Sequence, residues 1–375
     1  MENKTVHTKE PFMRIMSNPN HSATRAWIIR GVALVIALLA CGLFVNITAG
    51  VSLKDTFVSM WNGTFGRFGN ATSMRIKCWD SAVYAAKLLC IAVALAPAFK
   101  MRFWNIGAEG QVIMGGLVTA IVMREAAGAL SGFSLYACMI LACIVFGAVW
   151  GVIPAIFRAK FGTNETLFTL MMNYIATQLV AYFIIIWEVP KGSGKIGIIN
   201  QDTQAGWLPT IGNQKYLLAI LVVAILTGLM YIYLNYSKHG YEIAVVGESR
   251  RTASYAGIKV DRVIIRTMAL SGALCGLIGL LLTSSTDHTM TTTIVDGRGF
   301  TAVMVSWLAK FNPIAMIFTS LLLVALDRGA SEISSVFSLN HSFSDILTGI
   351  ILFFIIGCEF FINYKINFCK RTGKE

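Results

Sequence analysis

Long apolar stretches dominate this sequence and restrict the folds open to it. Of its 375 residues, 56% are hydrophobic and only 13% are charged, about half the charged fraction of a typical soluble domain. At least seven stretches approach or exceed the roughly 18 residues that mark a membrane-spanning helix. The chain is therefore predicted to be an all-α, polytopic transmembrane helical bundle.

Ten segments are predicted to cross the membrane. They cover residues 26–49, 81–99, 105–123, 133–157, 166–187, 216–236, 263–283, 300–309, 314–326 and 343–364. The third is rich in glycine, and the eighth is much shorter than the roughly 20 residues of a full crossing. One or two of these helices are therefore expected to be broken or short.

The distribution of basic residues gives the orientation. With ten crossings, Lys and Arg are about twice as frequent on the side of the two termini, the bias shown by cytoplasmic segments. Residues 1–24 are predicted to be a disordered cytoplasmic tail, 25–364 the transmembrane domain, and 365–375 a second cytoplasmic tail. The longest cytoplasmic connection is 237–261. We expect a multi-pass protein of the plasma membrane, surrounded by lipid.

Other classes of function find little support. The net charge is +12, but the basic residues lie at the ends of apolar stretches, so no nucleic-acid partner is expected. The eight cysteines include no C-x-x-C pair, and no metal site or cofactor is predicted. Gly192–Lys195 resembles part of a phosphate-binding loop but lacks its first glycine and its final hydroxyl residue. The histidines lie in tails or loops, which disfavours an intramembrane enzyme.

A polar, glycine-rich motif begins the third crossing. Residues 105–111 read NIGAEGQ, and an ionisable Glu109 is costly in lipid unless it faces protein or a water-filled cavity. Irregular backbone at this depth is tolerated where it lines a cavity. Asn105, Glu109 and Gln111 are therefore candidates for a substrate pathway. The alternative is that Glu109 only stabilises the first turn of its own helix.

A second polar cluster lies at the start of the fifth crossing. Thr163 or Asn164 is predicted to cap this helix, with Glu165 supporting the cap through its charge. Asn173 lies about a third of the way along the crossing and needs a hydrogen-bonding partner, either on another helix or on a substrate. Asn164, Glu165 and Asn173 are the remaining pathway candidates.

The connection 237–261 contains a predicted short helix. Ser249 is a plausible N-cap, and Gly257 suits the position after the C-terminus. The helix between them has barely two turns and needs a docking partner because so short a helix is unstable alone in water. The alternative is a solvated basic loop placed here by the orientation signal.

These segments, in this order, resemble the permease subunits of bacterial ABC importers. More narrowly, they resemble the nucleoside-uptake branch, associated with basic membrane proteins, of the ribose/branched-chain amino acid permease superfamily. The resemblance covers roughly residues 80–364. It is carried by NIGAEGQ at 105–111, NE at 164–165, MNYIA at 172–176, GYE at 240–242, VGE at 246–248, YAGI at 255–258, SGAL at 271–274, GRGFTAV at 297–303 and Asn312-Pro313.

The resemblance implies a function for the whole chain. It would carry nucleosides inward across the bacterial inner membrane by alternating access, with no catalytic residues of its own and with ATP hydrolysis on separate cytoplasmic ATPase subunits. A paralogous permease subunit and a substrate-binding lipoprotein are the other expected partners. The ATPase would dock on the short helix of the connection 237–261, through Gly247, Glu248, Arg250, Arg251, Ala253 and Gly257.

Several alternatives remain open from the sequence. A simple-sugar permease of the same superfamily differs only in cargo. An ion-coupled secondary transporter would require intramembrane carboxylates or unwound helices, for which Glu109 and Glu359 are the candidates. The choice between a homodimer and a heterodimer, the partner genes and the side chains that touch cargo are also left open.

Overall fold

The computed structural model describes residues 13–17, 22–130, 132–194, 196–211 and 216–368. The described chain consists of helices α1 to α13 and one two-stranded sheet, which confirms the all-α prediction. Residues 1–12, 18–21 and 369–375 of the two predicted tails lie outside the described residues. The chain divides into two compact units, one of Met1–Lys77 with Ala325–Glu375, the other of Cys78–Val324.

Eight helices of the described chain are long and apolar enough to cross a membrane. They are α1 (Ala23–Ala49), α3 (Ala71–Lys100), α5 (Phe133–Phe161), α6 (Glu165–Trp187), α7 (Leu217–Tyr236), α10 (Val260–Leu281), α12 (Pro313–Val336) and α13 (His341–Asn363). Each overlaps one of the ten predicted segments. The other two predicted segments form shorter helices, α4 (Ala108–Glu125) and α11 (Arg298–Leu308). With 11 residues, α11 reaches only about 16 Å, so it is one of the short helices that the sequence predicts.

The predicted connection between residues 50 and 80 is largely helical, which corrects the sequence interpretation. It contains α2 (Leu53–Phe65) and the first ten residues of α3. Ser52 caps α2, because its hydroxyl oxygen accepts the backbone N–H of Asp55 at 3.1 Å. The segment is too polar to be recognised as a membrane crossing, although Ser52 provides a capping signal for a helix.

The first unit joins the two ends of the chain. Strand β1 (Met13–Ser17) pairs antiparallel with β2 (Tyr364–Phe368), with Met13 opposite Phe368. The prediction of disorder is therefore wrong for residues 13–17, because backbone pairing with β2 orders them.

The second unit is built around close contacts between α4, α5 and α10. An added Cβ on Gly276 of α10 would overlap the carbonyl oxygen of Cys143 on α5, and one on Gly147 would overlap the carbonyl of Gly272. Gly115 of α4 lies against the backbone of Gly276 in the same way. Small residues of this kind let helix backbones approach closely in membranes.

The remaining described helices connect these spans. Helices α8 (Lys238–Glu248) and α9 (Arg250–Tyr255) occupy the predicted cytoplasmic connection. A π-helical turn, Leu282–Asp287, continues α10, and an irregular segment follows it up to α11. Two irregular segments, 101–107 before α4 and 288–297 before α11, position the polar residues considered next.

Candidate functional site

The break before α4 is held by a buried pair of amide side chains. Asn105 is fully buried, and its Nδ2 donates to Gln111 Oε1 at 3.3 Å and to Ser271 Oγ at 3.4 Å. Its Oδ1 accepts from the backbone N–H of Gly107 at 3.0 Å and from Gln111 Nε2 at 3.3 Å. These bonds satisfy polar groups that the interrupted helix cannot pair.

Helix α6 contributes side chains to the same break. Asn173 Oδ1 accepts the backbone N–H of Gly110 at 2.9 Å, and its Nδ2 donates to the carbonyl of Ile106 at 2.9 Å. Thr169 Oγ1 accepts the N–H of Ile106 at 3.2 Å. An added Cβ on Gly110 would lie 2.8 Å from Asn173 Oδ1. The structure thus brings Asn173 to the segment that Asn105 and Gln111 hold, and Asn173 has the interhelical partner that its position required.

Glu109 faces a different helix. One carboxylate oxygen accepts the backbone N–H of Gly297 at 3.0 Å, and the other accepts that of Gly299 at 2.7 Å. These donors lie at the N-terminus of α11, where backbone N–H groups lack helical partners. Glu109 also lies in the first turn of α4. One carboxylate therefore serves the N-termini of two helices.

Asn164 and Glu165 lie apart from the network around Asn105. Asn164 caps α6, because its Oδ1 accepts the N–H groups of Thr166 at 3.0 Å and Leu167 at 3.2 Å. This confirms the predicted cap and selects Asn164 over Thr163. Glu165 is buried and forms an ion pair with Arg158 of α5 at 3.1 Å. Along α6, Glu165 precedes Asn173 by about two helical turns.

A polar cavity of about 390 Å³ lies beside the second irregular segment. We call it the threonine cavity. Its wall contains four threonines, two tyrosines, five charged residues and two aliphatic residues. The threonines are Thr286, Thr289, Thr291 and Thr293, and the tyrosines are Tyr84 and Tyr216. The charged residues are Asp80, Lys87, Asp287, Asp296 and Arg298, and the aliphatic residues are Val83 and Ile294. None of the site residues predicted from the sequence lies in this wall. The signal that could have found it is the threonine-rich stretch 284–293, which follows a long apolar run.

The short helix predicted within the connection 237–261 is confirmed as α9. Ser249 Oγ accepts the N–H of Thr252 at 3.2 Å, and Gly257 has a positive φ of 79° after the end of the helix. Ala253 is fully buried, whereas Arg251 is exposed and Tyr255 is 92% exposed. The helix is therefore anchored on one side and presents an aromatic ring and a basic group on the other.

Further contacts fix the position of this connection. An added Cβ on Gly247 would overlap the carbonyl oxygen of Lys100 at the end of α3. Glu242 of α8 forms an ion pair with Arg266 of α10 at 2.9 Å. Burial and then the nearby Arg158 lower the pKa of the Arg250 guanidinium. Of the other predicted coupling residues, Glu248 and Gly257 are exposed.

Within the part of the chain that the structure describes, no group of three or more His, Cys, Asp or Glu residues is arranged to hold a metal ion. The seven described cysteines form no disulfide with one another.

The chain is similar to permease subunits of known transporters over most of its length. The model of the family described as branched-chain amino acid transport system / permease component matches residues 79–356. The guanosine ABC transporter permease protein NupP of Bacillus subtilis is 27% identical, over 91% of this chain and 96% of the relative. The nucleoside ABC transporter permease protein NupB of Lactococcus lactis is 27% identical, over 89% of this chain and 92% of the relative. The glucose ABC transporter permease protein TsgB13 of Haloferax volcanii is 26% identical, over 93% of this chain and 93% of the relative. No solved structure matches.

Proposed function

The chain belongs to the family of permease components of the branched-chain amino acid transport system, multi-pass membrane subunits of ABC importers, and we propose that its cargo is a nucleoside. The observation that carries this proposal is the similarity to NupP and NupB, which are named for guanosine and nucleoside transport and align with 91% and 89% of the chain. Family membership also favours ATP over an ion gradient as the energy source.

A sugar is the second candidate cargo. TsgB13, named for glucose transport, is 26% identical over 93% of the chain, so overall similarity separates the two cargo classes only weakly. Both cargoes are uncharged molecules rich in hydroxyl groups. Uptake measurements must therefore include both.

The direct test is uptake of radiolabelled guanosine, adenosine and uridine in cells with and without the gene. Unlabelled ribose, glucose and leucine serve as competitors. We expect nucleoside uptake to fall when the gene is deleted, to return with a plasmid copy, and to persist in the presence of the sugars. Loss of glucose uptake with unchanged nucleoside uptake would contradict the proposed cargo and support the sugar permease.

The partners follow from the same proposal. Membership of the permease family of ABC importers implies ATPase subunits and a substrate-binding partner. We assign ATP hydrolysis to separate subunits, cargo delivery to a lipoprotein receptor, and half of the translocation path to a paralogous permease subunit. Co-purification from detergent, followed by mass spectrometry, tests each partner and distinguishes the proposed heterodimer from a homodimer.

The docking site for the ATPase is proposed to be α9 with the end of α8. Two observations support it: α9 is capped at both ends although it has only six residues, and its outer face exposes Tyr255 and Arg251. Gly247 and Ala253 are buried, and Gly247 lies against the backbone of Lys100 at the end of α3. A small exposed helix that is rigidly anchored is suited to transmitting movement from a docked partner.

Charge reversal tests this docking site. The double substitution Arg250→Glu/Arg251→Glu should reduce uptake by at least about tenfold, since it reverses two charges at the proposed interface and so removes its electrostatic complementarity. Membrane insertion should stay normal by immunoblot. Lys259→Glu, on an exposed residue beyond α9, is the matched control and should transport normally. Undiminished uptake in the double variant would remove the assignment.

The six pathway candidates are proposed to border the route rather than to line an open channel. Asn105, Gln111 and Asn173 are at least 95% buried, and their amides bond to protein groups. Asn105→Ala would leave buried polar groups unpaired and is expected to lower the amount of folded protein. Gel filtration of a fluorescent fusion measures that amount, and transport per folded molecule then tests the role in the pathway.

A further inference from the structure

The threonine cavity has no role in the network around Asn105. Its volume of about 390 Å³ lies within the range of about 300–1,000 Å³ that is usual for small-molecule sites. All its lining residues belong to the second compact unit. On the predicted topology they lie at the outer ends of α3 and α10, where cargo would arrive from outside the cell.

The charges in the wall are largely paired with one another. Lys87, whose side chain is only 11% exposed, lies 3.7 Å from Asp287. Arg298 lies 3.9 Å from Asp296, and its guanidinium covers the ring of Tyr84 at 4.5 Å from the centroid. Together with Asp80, the wall carries three acidic groups against two basic ones. A phosphorylated ligand would therefore meet a net negative wall, which disfavours its binding.

The remaining polar groups are hydroxyls. Thr289, Thr291 and Thr293 come from the segment after the π-helical turn, and Thr286 lies within the turn. Turns of this type are rare and occur frequently at functional sites. Hydroxyls donate and accept hydrogen bonds without charge, so several of them on one wall suit a ligand that carries several hydroxyls of its own.

From this geometry we infer that the threonine cavity is the cargo-accepting site of this subunit and takes an uncharged, polyhydroxylated molecule through its threonine hydroxyls. The inference rests on the proposed function for its cargo, a nucleoside. It differs from that proposal in naming where the cargo binds and which chemical feature is recognised.

Valine substitutions test the hydroxyls because valine has nearly the shape of threonine and carries a methyl group in place of the hydroxyl. Thr291→Val and Thr293→Val should each lower the rate of uridine uptake by about twofold to tenfold, the effect of losing one hydrogen bond. Thr292→Val is the matched control, because Thr292 lies between them and is not part of the wall. Thr291→Ser and Thr293→Ser keep the hydroxyl and should recover most of the uptake lost in the corresponding valine variants.

The outcomes of these variants separate the two proposals. Normal uptake by Thr291→Val and Thr293→Val, with the parent active, would overturn the inference and leave the proposed function intact. Loss of uptake in the serine variants as well would indicate packing and would also overturn it. If the parent transports glucose and no nucleoside, the proposed cargo is wrong, and the same variants test the cavity with labelled glucose.

A labelling experiment provides a readout that does not depend on transport. Thr293→Cys is combined with Cys78→Ser, because Cys78 is exposed, and the assembled transporter is treated from outside with a membrane-impermeant maleimide. We expect rapid labelling that uridine slows and uridine monophosphate does not. Labelling that uridine leaves unchanged would overturn the inference, and equal protection by the phosphate ester would overturn its restriction to uncharged ligands.

Discussion

The carboxylate of Glu109 gives the sharpest prediction about stability. Each of its oxygens accepts one backbone N–H from the start of α11, at 3.0 and 2.7 Å. In Glu109→Gln, the amide oxygen can still accept one of the two backbone N–H groups, whereas the amide NH₂ group faces the other N–H and cannot accept it. One charge-assisted bond is therefore lost, which costs about 1.5–3 kcal/mol. Loss of the charge at the helix N-terminus adds about 0.3–1 kcal/mol.

The sum predicts a destabilisation of roughly 2–4 kcal/mol for Glu109→Gln. Thermal unfolding of the purified transporter in detergent measures it, as a lower midpoint temperature. Glu125→Gln is the matched control, since Glu125 ends the same helix with a side chain that is 66% exposed. Equal midpoints for the two variants would refute the assignment of Glu109 as the anchor of α11.

Three further predictions concern packing, an ion pair and pH. Gly276→Ala should destabilise the second unit by about 1–3 kcal/mol, because the added Cβ would overlap the backbone carbonyl of Cys143. Gly228→Ala is the control and should not destabilise it, because Gly228 has open space around it. Thermal unfolding compares the two variants. Glu359→Gln should lower the free energy of unfolding by about 1–3 kcal/mol because it removes the carboxylate 2.6 Å from Arg30, and Arg30→Met/Glu359→Met should recover most of the loss in the same assay. The backbone N–H groups of Gly192 and Gly194 lower the pKa of the Glu188 carboxyl. The ionised carboxylate therefore stabilises this loop fully above the ordinary glutamate pKa of about 4.3. The stabilisation is lost as the pH falls through the lowered pKa. Hydrogen exchange of this loop should therefore stay slow through the ordinary value and rise below it, and Glu188→Gln should abolish that pH dependence.

Features set by local chemistry were predictable from the sequence. The short helix between Ser249 and Gly257 forms where its capping residues indicate, and Asn164 caps α6 as expected. Each of these depends on residues within a few positions of one another. The apolar lengths likewise located the long spans, because the hydrophobic requirement of a crossing is a property of one continuous segment.

Features that depend on distant residues were not predictable. The sequence leaves Glu109 open between a pathway role and a role in its own helix, because its partners Gly297 and Gly299 lie 188 and 190 positions later. The threonine cavity likewise combines α3 with the segment after α10. Helix α2 is not recognisable as a membrane crossing for a different reason. Its sequence mixes polar and apolar residues and is shorter than a crossing requires.

The glycine contacts between α5 and α10 also restrict how the protein can move. Gly147 and Gly272 lie backbone against backbone, and Gly276 lies against the carbonyl of Cys143. A rotation of α10 about its axis by about 100° would bring the neighbouring residue into each glycine's position. The larger side chains would then meet the backbone of α5, where there is no space for them. We therefore expect α5 and α10 to travel as one rigid body throughout the transport cycle. The hinges then fall in the irregular segments at either end of that body, so a disulfide engineered across the α5–α10 interface should leave uptake intact.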